Sequence, residues 1–320
     1  MTKVYFSHGF ILQYSFGRGV SAEIKIKRIF MLKPGLVRFI LASLVVLFHV
    51  TKNVFVGGMA VFCFFILSGY WVALMYEKKY KKCQKSLFVF YASRLLRLAP
   101  VFYLLSLLNF IMIYYYKKEL LTKIDLLETK GVLYTLSNVF LIGYNQLKIQ
   151  PLVPAWSLDI EMQFYLLVPF LLVIMNSKIK RIACLLFSFL LMLVLVYYFE
   201  DTFISKTVLK YLVYFLIGIA IYKSKIKFKV RTEMIFNIVF FTILGLHYII
   251  PDVFHLVKTT ENSYNEYFNI AISFLLIPFL ANSVLKKSDE RDALLGGMSY
   301  TLYLSHWMFM IPYNYYIDGI

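Results

Sequence analysis

Long apolar runs, separated by short polar loops, fill the chain from residue 36 onward. Runs that approach about 20 apolar residues are typical of transmembrane helices, and the pattern predicts nine of them. They lie near residues 36–52, 56–76, 97–116, 161–176, 182–199, 209–222, 234–250, 268–285 and 294–313. A weaker run at 131–144 is a tenth candidate. The sequence therefore predicts an all-α, polytopic transmembrane helix bundle with about nine to ten membrane helices.

The composition agrees with a protein whose solvent is a bilayer. Of the 320 residues, 61% are hydrophobic, 19% are aromatic and only 16% are charged, whereas soluble domains carry about 25% charged residues. Soluble enzymes, zinc-finger modules and disordered scaffolds are thereby excluded. Because Cys63, Cys83 and Cys184 are far apart and lack the spacing of metal ligands, we expect no metal site.

The formal net charge of +17 is unevenly distributed. If the 131–144 run does not cross the membrane, 25 of the 34 Lys and Arg residues fall on one side. Cytoplasmic loops are enriched in these residues, so we expect a cytoplasmic N-terminus and an outward-facing 117–160 loop. The 131–144 run is then interpreted as a re-entrant or surface segment. The positive net charge is therefore explained by the basic loops on the cytoplasmic side, and we expect no nucleic-acid partner. The segments on the basic side are 1–38, 77–97, 177–181, 223–233 and 286–292.

Residues 1–30 differ from the rest of the chain, because charges and glycines interrupt their short apolar stretches. We expect a poorly ordered basic leader there, with Met31, just before the first membrane segment, as an alternative native start. The predicted domain division is thus a leader at 1–30 and an integral-membrane domain at 31–320.

Two ionisable residues, Arg38 and His49, lie eleven positions apart on the first predicted helix. At about 100° per residue they share one face and lie about 16 Å apart along the axis. Taken alone, Arg38 is compatible with an interfacial anchor and His49 with a helix end near water. Ionisable groups inside a membrane are nevertheless costly and usually functional.

A second pair of cations, Arg94 and Arg97, lies one turn apart at the cytoplasmic mouth of the third predicted span. Such a pair can grip phosphates through bidentate hydrogen bonds, or it can bind anionic lipid headgroups. Within the second span, Ser68 and Gly69 indicate close helix packing.

A carboxylate, Glu161, enters an apolar helix that begins near Trp156, and it shares a helix face with Tyr165 four positions later. Without a nearby Lys it requires a partner or a wet cavity, and a histidine is a natural partner. The last span carries Tyr303 and His306, the latter about half-way across the bilayer.

Taken in order, these blocks resemble the acyltransferase-3 family of integral-membrane acyltransferases, from about Pro34 to the C-terminus. The family pattern continues with a further helix, so the resemblance implies that the 31–320 domain lacks a final helix. The matching motifs are Arg-x10-His (Arg38, His49), Phe-Phe-x-x-Ser-Gly (Phe64 to Gly69), Arg-x-x-Arg-x-x-Pro (Arg94 to Pro100), Trp-Ser-Leu-x-x-Glu-x-x-Phe-Tyr (Trp156 to Tyr165) and Ser-Tyr-x-x-Tyr-Leu-x-His (Ser299 to His306).

The resemblance implies a membrane O-acyltransferase, in the first place an O-acetyltransferase. It would move an acyl group from cytoplasmic acyl-CoA to a sugar hydroxyl of a cell-surface or lipid-linked polysaccharide, such as lipopolysaccharide or capsule. Acetyl-CoA is then a co-substrate and no cofactor is bound. The partners are acyl-CoA, the glycan acceptor and membrane lipids, and the location is the bacterial cytoplasmic membrane.

Within this mechanism the candidate residues take distinct roles. We expect His49 to be the general base for the sugar hydroxyl, Glu161 to orient His49, and His306 to polarise the acyl carbonyl or assist proton exit. The expected CoA-binding residues are Arg38, Arg94 and Arg97, and the expected substrate-binding residues are Ser68, Trp156, Tyr165 and Tyr303.

A glycan-lipid flippase or a proton-coupled transporter is the leading alternative, in which the buried Arg, Glu and His residues form a substrate path or proton relay. The absence of a visible internal repeat weakly disfavours it. A nonenzymatic scaffold or sensor would leave the intramembrane ionisable residues unexplained.

Overall fold

The structure is a computed structural model that describes residues 32–51, 53–116, 129–200, 202–250, 252–253 and 263–317. The predicted leader at 1–30 lies outside the described residues and stays a prediction. So does part of the 117–160 loop.

All regular secondary structure in the described part of the chain is helical. Short 3₁₀ turns at Tyr80–Lys82, Tyr144–Gln146, Val153–Ala155 and Ile204–Lys206 separate some of the helices. The α-helices are α1 (Pro34–Val50), α2 (Gly57–Lys78), α3 (Ser86–Tyr116), α4 (Thr129–Phe140), α5 (Trp156–Ile174), α6 (Lys178–Tyr198), α7 (Val208–Ser224), α8 (Val230–Ile249), α9 (Ser263–Leu275), α10 (Ile277–Ser283) and α11 (Glu290–Ile317).

Among the described helices, six are long and apolar enough to cross a membrane: α2, α3, α5, α6, α7 and α8. A seventh is added if α9 and α10, bent by 48° at their junction, form one broken span. The helix α1 is shorter, with 17 residues, and α11 is long but rich in polar residues. The all-helical, multi-pass prediction is confirmed, whereas length and composition alone support fewer crossings than the nine to ten predicted.

The weak run at 131–144 forms the 12-residue helix α4, followed by a turn at Gly143. Twelve residues extend about 18 Å, too little for the hydrocarbon core. Gly143 has a φ of 79°, which glycine adopts without strain. The segment is therefore a short helix followed by a turn, and its surface or re-entrant placement stays a prediction.

The helix α2 lies at the centre of the bundle and packs against α1, α5, α7 and α9. Its crossing with α7 is a direct backbone contact at two glycines. A Cβ on Gly69 would lie 2.1 Å from the Phe215 carbonyl oxygen, and one on Gly218 would lie 2.1 Å from that of Ile66. Close backbone approach at small residues is the usual way for membrane helices to pack tightly, and here it fixes the position of Ser68 within the bundle.

The buried carboxylate Asp159 holds the turn that precedes α5. It accepts hydrogen bonds from the backbone N–H groups of Gly143 and Asn145, at 2.9 and 2.7 Å. The side-chain amide of Gln163 donates a third, at 2.8 Å. Asp159 therefore fixes the Gly143–Asn145 turn against α5, and its carboxylate oxygens are already engaged in hydrogen bonds.

Candidate active site

A cavity of about 280 Å³ lies among α1, α2, α3, α5 and α11. Its walls combine two arginines, one carboxylate, several hydroxyl groups and two adjacent glycines, which is the mixture of apolar surface and few polar groups typical of ligand pockets. The lining residues are Arg38, Val61, Phe64, Phe65, Ser68, Arg97, Leu98, Ser157, Leu158, Glu161, Gly296, Gly297, Ser299, Tyr300 and Tyr303.

Arg38 and Arg97 supply the positive charge of the cavity. They come from different helices, α1 and α3, and are close enough for their charges to repel each other. Glu161 acts electrostatically on both guanidinium groups. Two permanently charged arginines facing one carboxylate leave a net positive site, which suits an anionic ligand.

Arg94, expected beside Arg97 at a phosphate, lies behind the cavity wall. It is only 5% exposed, and its Nη2 donates a 2.9 Å hydrogen bond to the Tyr80 hydroxyl. Its guanidinium carbon lies 5.4 to 5.9 Å from the ring centres of Tyr80, Phe90 and Tyr165. Residues three apart on a helix differ by about 60° in direction, so the two arginines of this motif diverge.

Glu161 is held by two hydroxyl groups that donate to the same oxygen. Ser68 Oγ lies 2.6 Å from Glu161 Oε1 and the Tyr165 hydroxyl lies 2.5 Å from it. The carboxylate is thereby fixed in the wall, and among the described residues no hydrogen bond is made to Oε2. Glu161 can therefore present one oxygen to a ligand in the cavity.

His49 and His306 form a stacked pair, with ring centres 5.1 Å apart and an angle of 23° between the planes. Trp307 packs edge-on against His49 at 5.4 Å. His306 is 5% exposed, and neither of its ring nitrogens has a hydrogen-bond partner within the described residues. Protein interiors rarely leave such groups unmet, so a partner at this site is chemically reasonable.

Glu161, which was expected to orient His49, makes no contact with it in the described residues. Glu161 interacts with Arg38, and His49 lies about 16 Å further along α1. In the described residues the ring partners of His49 are His306, Trp307 and Phe48. The Glu161 carboxylate thus lies near the Arg38 end of α1, and the His49 imidazole lies at the other end of this helix.

Tyr303 connects the cavity to the histidine pair. Its hydroxyl donates to the Pro154 carbonyl at 3.0 Å and lies 2.8 Å from Ser157 Oγ, which ties α11 to the start of α5. Its ring lies 6.4 Å from that of His306. Tyr303 therefore lines the cavity and lies next to His306, whereas His49 and His306 are not among the lining residues in the described structure.

Of the other expected substrate contacts, Ser68 lines the cavity, whereas Tyr165 and Trp156 are not among its lining residues in the described structure. Tyr165 is 1% exposed and acts through its bond to Glu161. Trp156 packs behind Phe65, with ring centres 6.3 Å apart. Tyr165 and Trp156 therefore hold the residues that line the cavity and do not line it themselves.

Comparison with known proteins identifies the family. The sequence model described as an acyltransferase domain, that of the acyltransferase-3 proteins, matches residues 33–320. This chain belongs to the acyltransferase-3 family. The predicted resemblance is confirmed, and with the apolar helices it makes the acyltransferase-3 chain a multi-pass membrane protein.

Curated relatives include the O-acetyltransferase OatA of Staphylococcus aureus strain NCTC 8325 and that of strain COL, each 30% identical over 310 residues. The matches cover 86% of this chain and 50% of each relative. The acyltransferase-3 chain therefore spans about half the length of the curated relatives it matches. No solved structure matches it.

Several cavity residues of the acyltransferase were not singled out by sequence reasoning. Ser299 and Tyr300 belong to the last motif, and Gly296 and Gly297 lie just before it, so this motif was the signal that could have found them. A Cβ on Gly297 would meet nothing within 4 Å, so this glycine borders open space. Ser157 lay beside Trp156 in the α5 motif and was likewise passed over.

Among the described residues no group of three or more His, Cys, Asp and Glu side chains is arranged to hold a metal ion.

Proposed function

We propose that this domain is a membrane O-acetyltransferase that moves an acetyl group from cytoplasmic acetyl-CoA to a sugar hydroxyl of a cell-surface or lipid-linked polysaccharide. The observation that carries the proposal is the single cavity that begins at Arg38 and Arg97 and extends to Tyr303, beside the stacked His306 and His49. The relatives named O-acetyltransferases support the choice of acetyl.

The proposed topology has nine crossings, a cytoplasmic N-terminus and a location in the bacterial cytoplasmic membrane. The helix α1 has 17 residues, the lower limit for a span. Several polar residues of α11, namely Ser299, Tyr303 and His306, are buried towards the cavity or α1, so they need not contact lipid. The basic loops favour this orientation.

In this orientation Arg38 lies near the cytoplasmic side, where acetyl-CoA is available. Guanidinium groups bind phosphate through paired, charge-assisted hydrogen bonds. Arg38 and Arg97 bind the phosphates of the donor, and Glu161 offers Oε2 to a donor N–H or acceptor hydroxyl. The carboxylate also offsets part of the repulsion between the two arginines.

Transfer requires a base for the sugar hydroxyl and a route for the leaving thiolate. In direct transfer His49 accepts the hydroxyl proton, and the sugar oxygen forms a new bond to the acetyl carbonyl carbon. The carbon–sulfur bond then breaks, and the CoA thiolate takes up the proton that His49 had accepted, which gives the O-acetyl sugar, CoA thiol and neutral His49. His306, next to Tyr303, assists at the carbonyl or in proton exit.

Membranes that contain the protein test the proposal when they are supplied with labelled acetyl-CoA and a polysaccharide acceptor. We expect transfer of label to the acceptor, and a loss of about 100-fold or more in His49→Ala, the usual scale for a lost general base. His247→Ala is the matched control, because His247, in α8, packs on Phe268 of α9 with ring centres 4.2 Å apart and is not among the cavity-lining residues.

Near-normal transfer by His49→Ala would refute the role of His49. Consumption of acetyl-CoA with no label in the glycan would refute the proposed acceptor. If glycan lipid instead crossed vesicle membranes without any consumption of acetyl-CoA, the flippase interpretation would replace the proposal. Measuring the mass of the surface polysaccharide repeat unit, with and without the protein, identifies the transferred group.

A further inference from the structure

The carboxylate Asp292, near the start of α11, binds the first turn of a different helix, α1. Its Oδ1 accepts a 2.8 Å hydrogen bond from the backbone N–H of Leu36, and its Oδ2 accepts one of 3.1 Å from that of Gly35. Ser288 Oγ also donates to Oδ2, at 2.7 Å. Asp292 is 3% exposed, so this carboxylate is both buried and fully engaged.

The first turn of α1 needs such a partner. The first four N–H groups of a helix have no acceptor within it, and the N-cap residue, Lys33, makes no side-chain capping bond. A carboxylate at this end also interacts favourably with the helix dipole. Asp292 thus provides from α11 the cap that the sequence of α1 lacks.

The backbones of α1 and α11 are also in close contact at this junction. A Cβ on Gly35 would lie 1.8 Å from the carbonyl oxygen of Asp292, and one on Gly296 would lie 3.2 Å from the Gly35 Cα. The two helices therefore meet in one register at this point. Gly296 lines the cavity one turn beyond Asp292.

Arg38 follows the capped residues within the same helical turn. The charge of Asp292 reaches its guanidinium group, although within the described residues no ion pair joins the two side chains. A shift in the height or rotation of the first turn of α1 would move Arg38 relative to Arg97, which lies on α3.

We propose that Asp292 is a positioning residue for donor binding, which fixes the register of α1 on α11 and thereby aims Arg38 into the cavity. The inference rests on the proposed function, since it assigns Arg38 to the phosphates of CoA. Asp292 itself lies outside the cavity lining and does not act on the reacting atoms.

The test compares Asp292→Asn with Asp289→Asn in the purified full chain. An asparagine at 292 loses the charge and one of the two acceptor oxygens. Asp289 is a matched control, because it immediately precedes the same helix, is exposed and pairs with Lys33. The hydrogen bond from Lys33 lowers the pKa of the Asp289 carboxyl, and an asparagine there still caps α11.

We expect Asp292→Asn to weaken CoA binding and raise the KM for acetyl-CoA by about tenfold, equivalent to about 1.4 kcal/mol. The kcat and the KM for the glycan should stay within about twofold, and Asp289→Asn should match the wild type. A merely structural cap would lower the unfolding temperature and leave the Kd of the folded fraction for CoA unchanged, which would overturn the inference.

If Asp292→Asn does not fold, Ser288→Ala takes its place, because it removes only one hydrogen bond to the carboxylate. An increase of about threefold in the Kd for CoA then supports the inference, and an unchanged Kd overturns it. Absence of CoA binding by the wild type would overturn the proposed function together with this inference. Binding by the wild type with an unaffected variant would overturn this inference alone.

Discussion

The imidazole rings of His49 and His306 are stacked 5.1 Å apart, although 257 positions separate the two residues in the chain. Each is carried by one of the two helices, α1 and α11, that pack along each other. The same helices bring Arg38 and Gly297 to the cavity. Contact between one pair of helices therefore sets both ends of the site.

Replacing His306 by phenylalanine separates ring packing from ring chemistry. A phenyl ring can keep the stack on His49 and Trp307 but has no nitrogen for proton transfer. We expect His306→Phe to fold and to lose about 100-fold in kcat for acetyl transfer. The control is His247→Phe, which should keep wild-type kinetics. Retention of half or more of the kcat by His306→Phe would contradict the assignment.

Glu161→Gln removes the negative charge that faces Arg38 and Arg97, while its oxygen can still accept from Ser68 and Tyr165. Because the site becomes more positive, CoA should bind about two- to tenfold tighter, whereas kcat should fall by at least about tenfold. Titration calorimetry and initial rates measure the two effects. Glu77→Gln is the control, since Glu77 pairs with Lys223 away from the cavity. Weaker CoA binding by Glu161→Gln would argue against an anionic ligand between these arginines.

The two arginines of the α3 motif should respond differently to substitution. Arg97→Gln is expected to raise the KM for acetyl-CoA by about tenfold or more, with less effect at high salt, because it removes an accessible charge. Arg94→Gln is expected to destabilise the protein by about 2–4 kcal/mol, through loss of the Tyr80 hydrogen bond and the surrounding rings. Thermal unfolding in detergent and donor kinetics distinguish these effects. If both variants raised the KM for acetyl-CoA equally and neither destabilised the protein, Arg94 and Arg97 would both be assigned to the phosphates of the donor.

Glycine substitutions test whether the cavity is used. Gly297→Leu should block donor binding with little loss of stability, because the new side chain enters open space. Gly218→Ala should instead destabilise the fold, because its Cβ would lie 2.1 Å from a backbone oxygen. Donor KM and unfolding temperature are measured for both. Full activity of a folded Gly297→Leu variant would exclude this cavity as the donor site.

The amino-acid sequence by itself determined the helical class, the membrane environment and the charged residues of the cavity, Arg38, Arg97 and Glu161. In lipid each backbone hydrogen bond must be made within the helix, so a segment that crosses the membrane is a long apolar helix. The lengths of the apolar runs therefore predict α2, α3 and α5 to α8 directly. Intramembrane Arg38, Glu161 and His306 stand out because burial of ionisable groups is costly.

Only the tertiary structure decided which of these residues meet. Spacing along one helix gives a shared face, as for Arg38 and His49, but it does not give the partner on another helix. Glu161 therefore binds Ser68 and Tyr165 instead of His49, and Asp292 caps α1 across 256 positions. Such contacts depend on crossing angles and on glycine contacts such as Gly69 against α7, which arise from packing in three dimensions and leave no periodic signal in the chain.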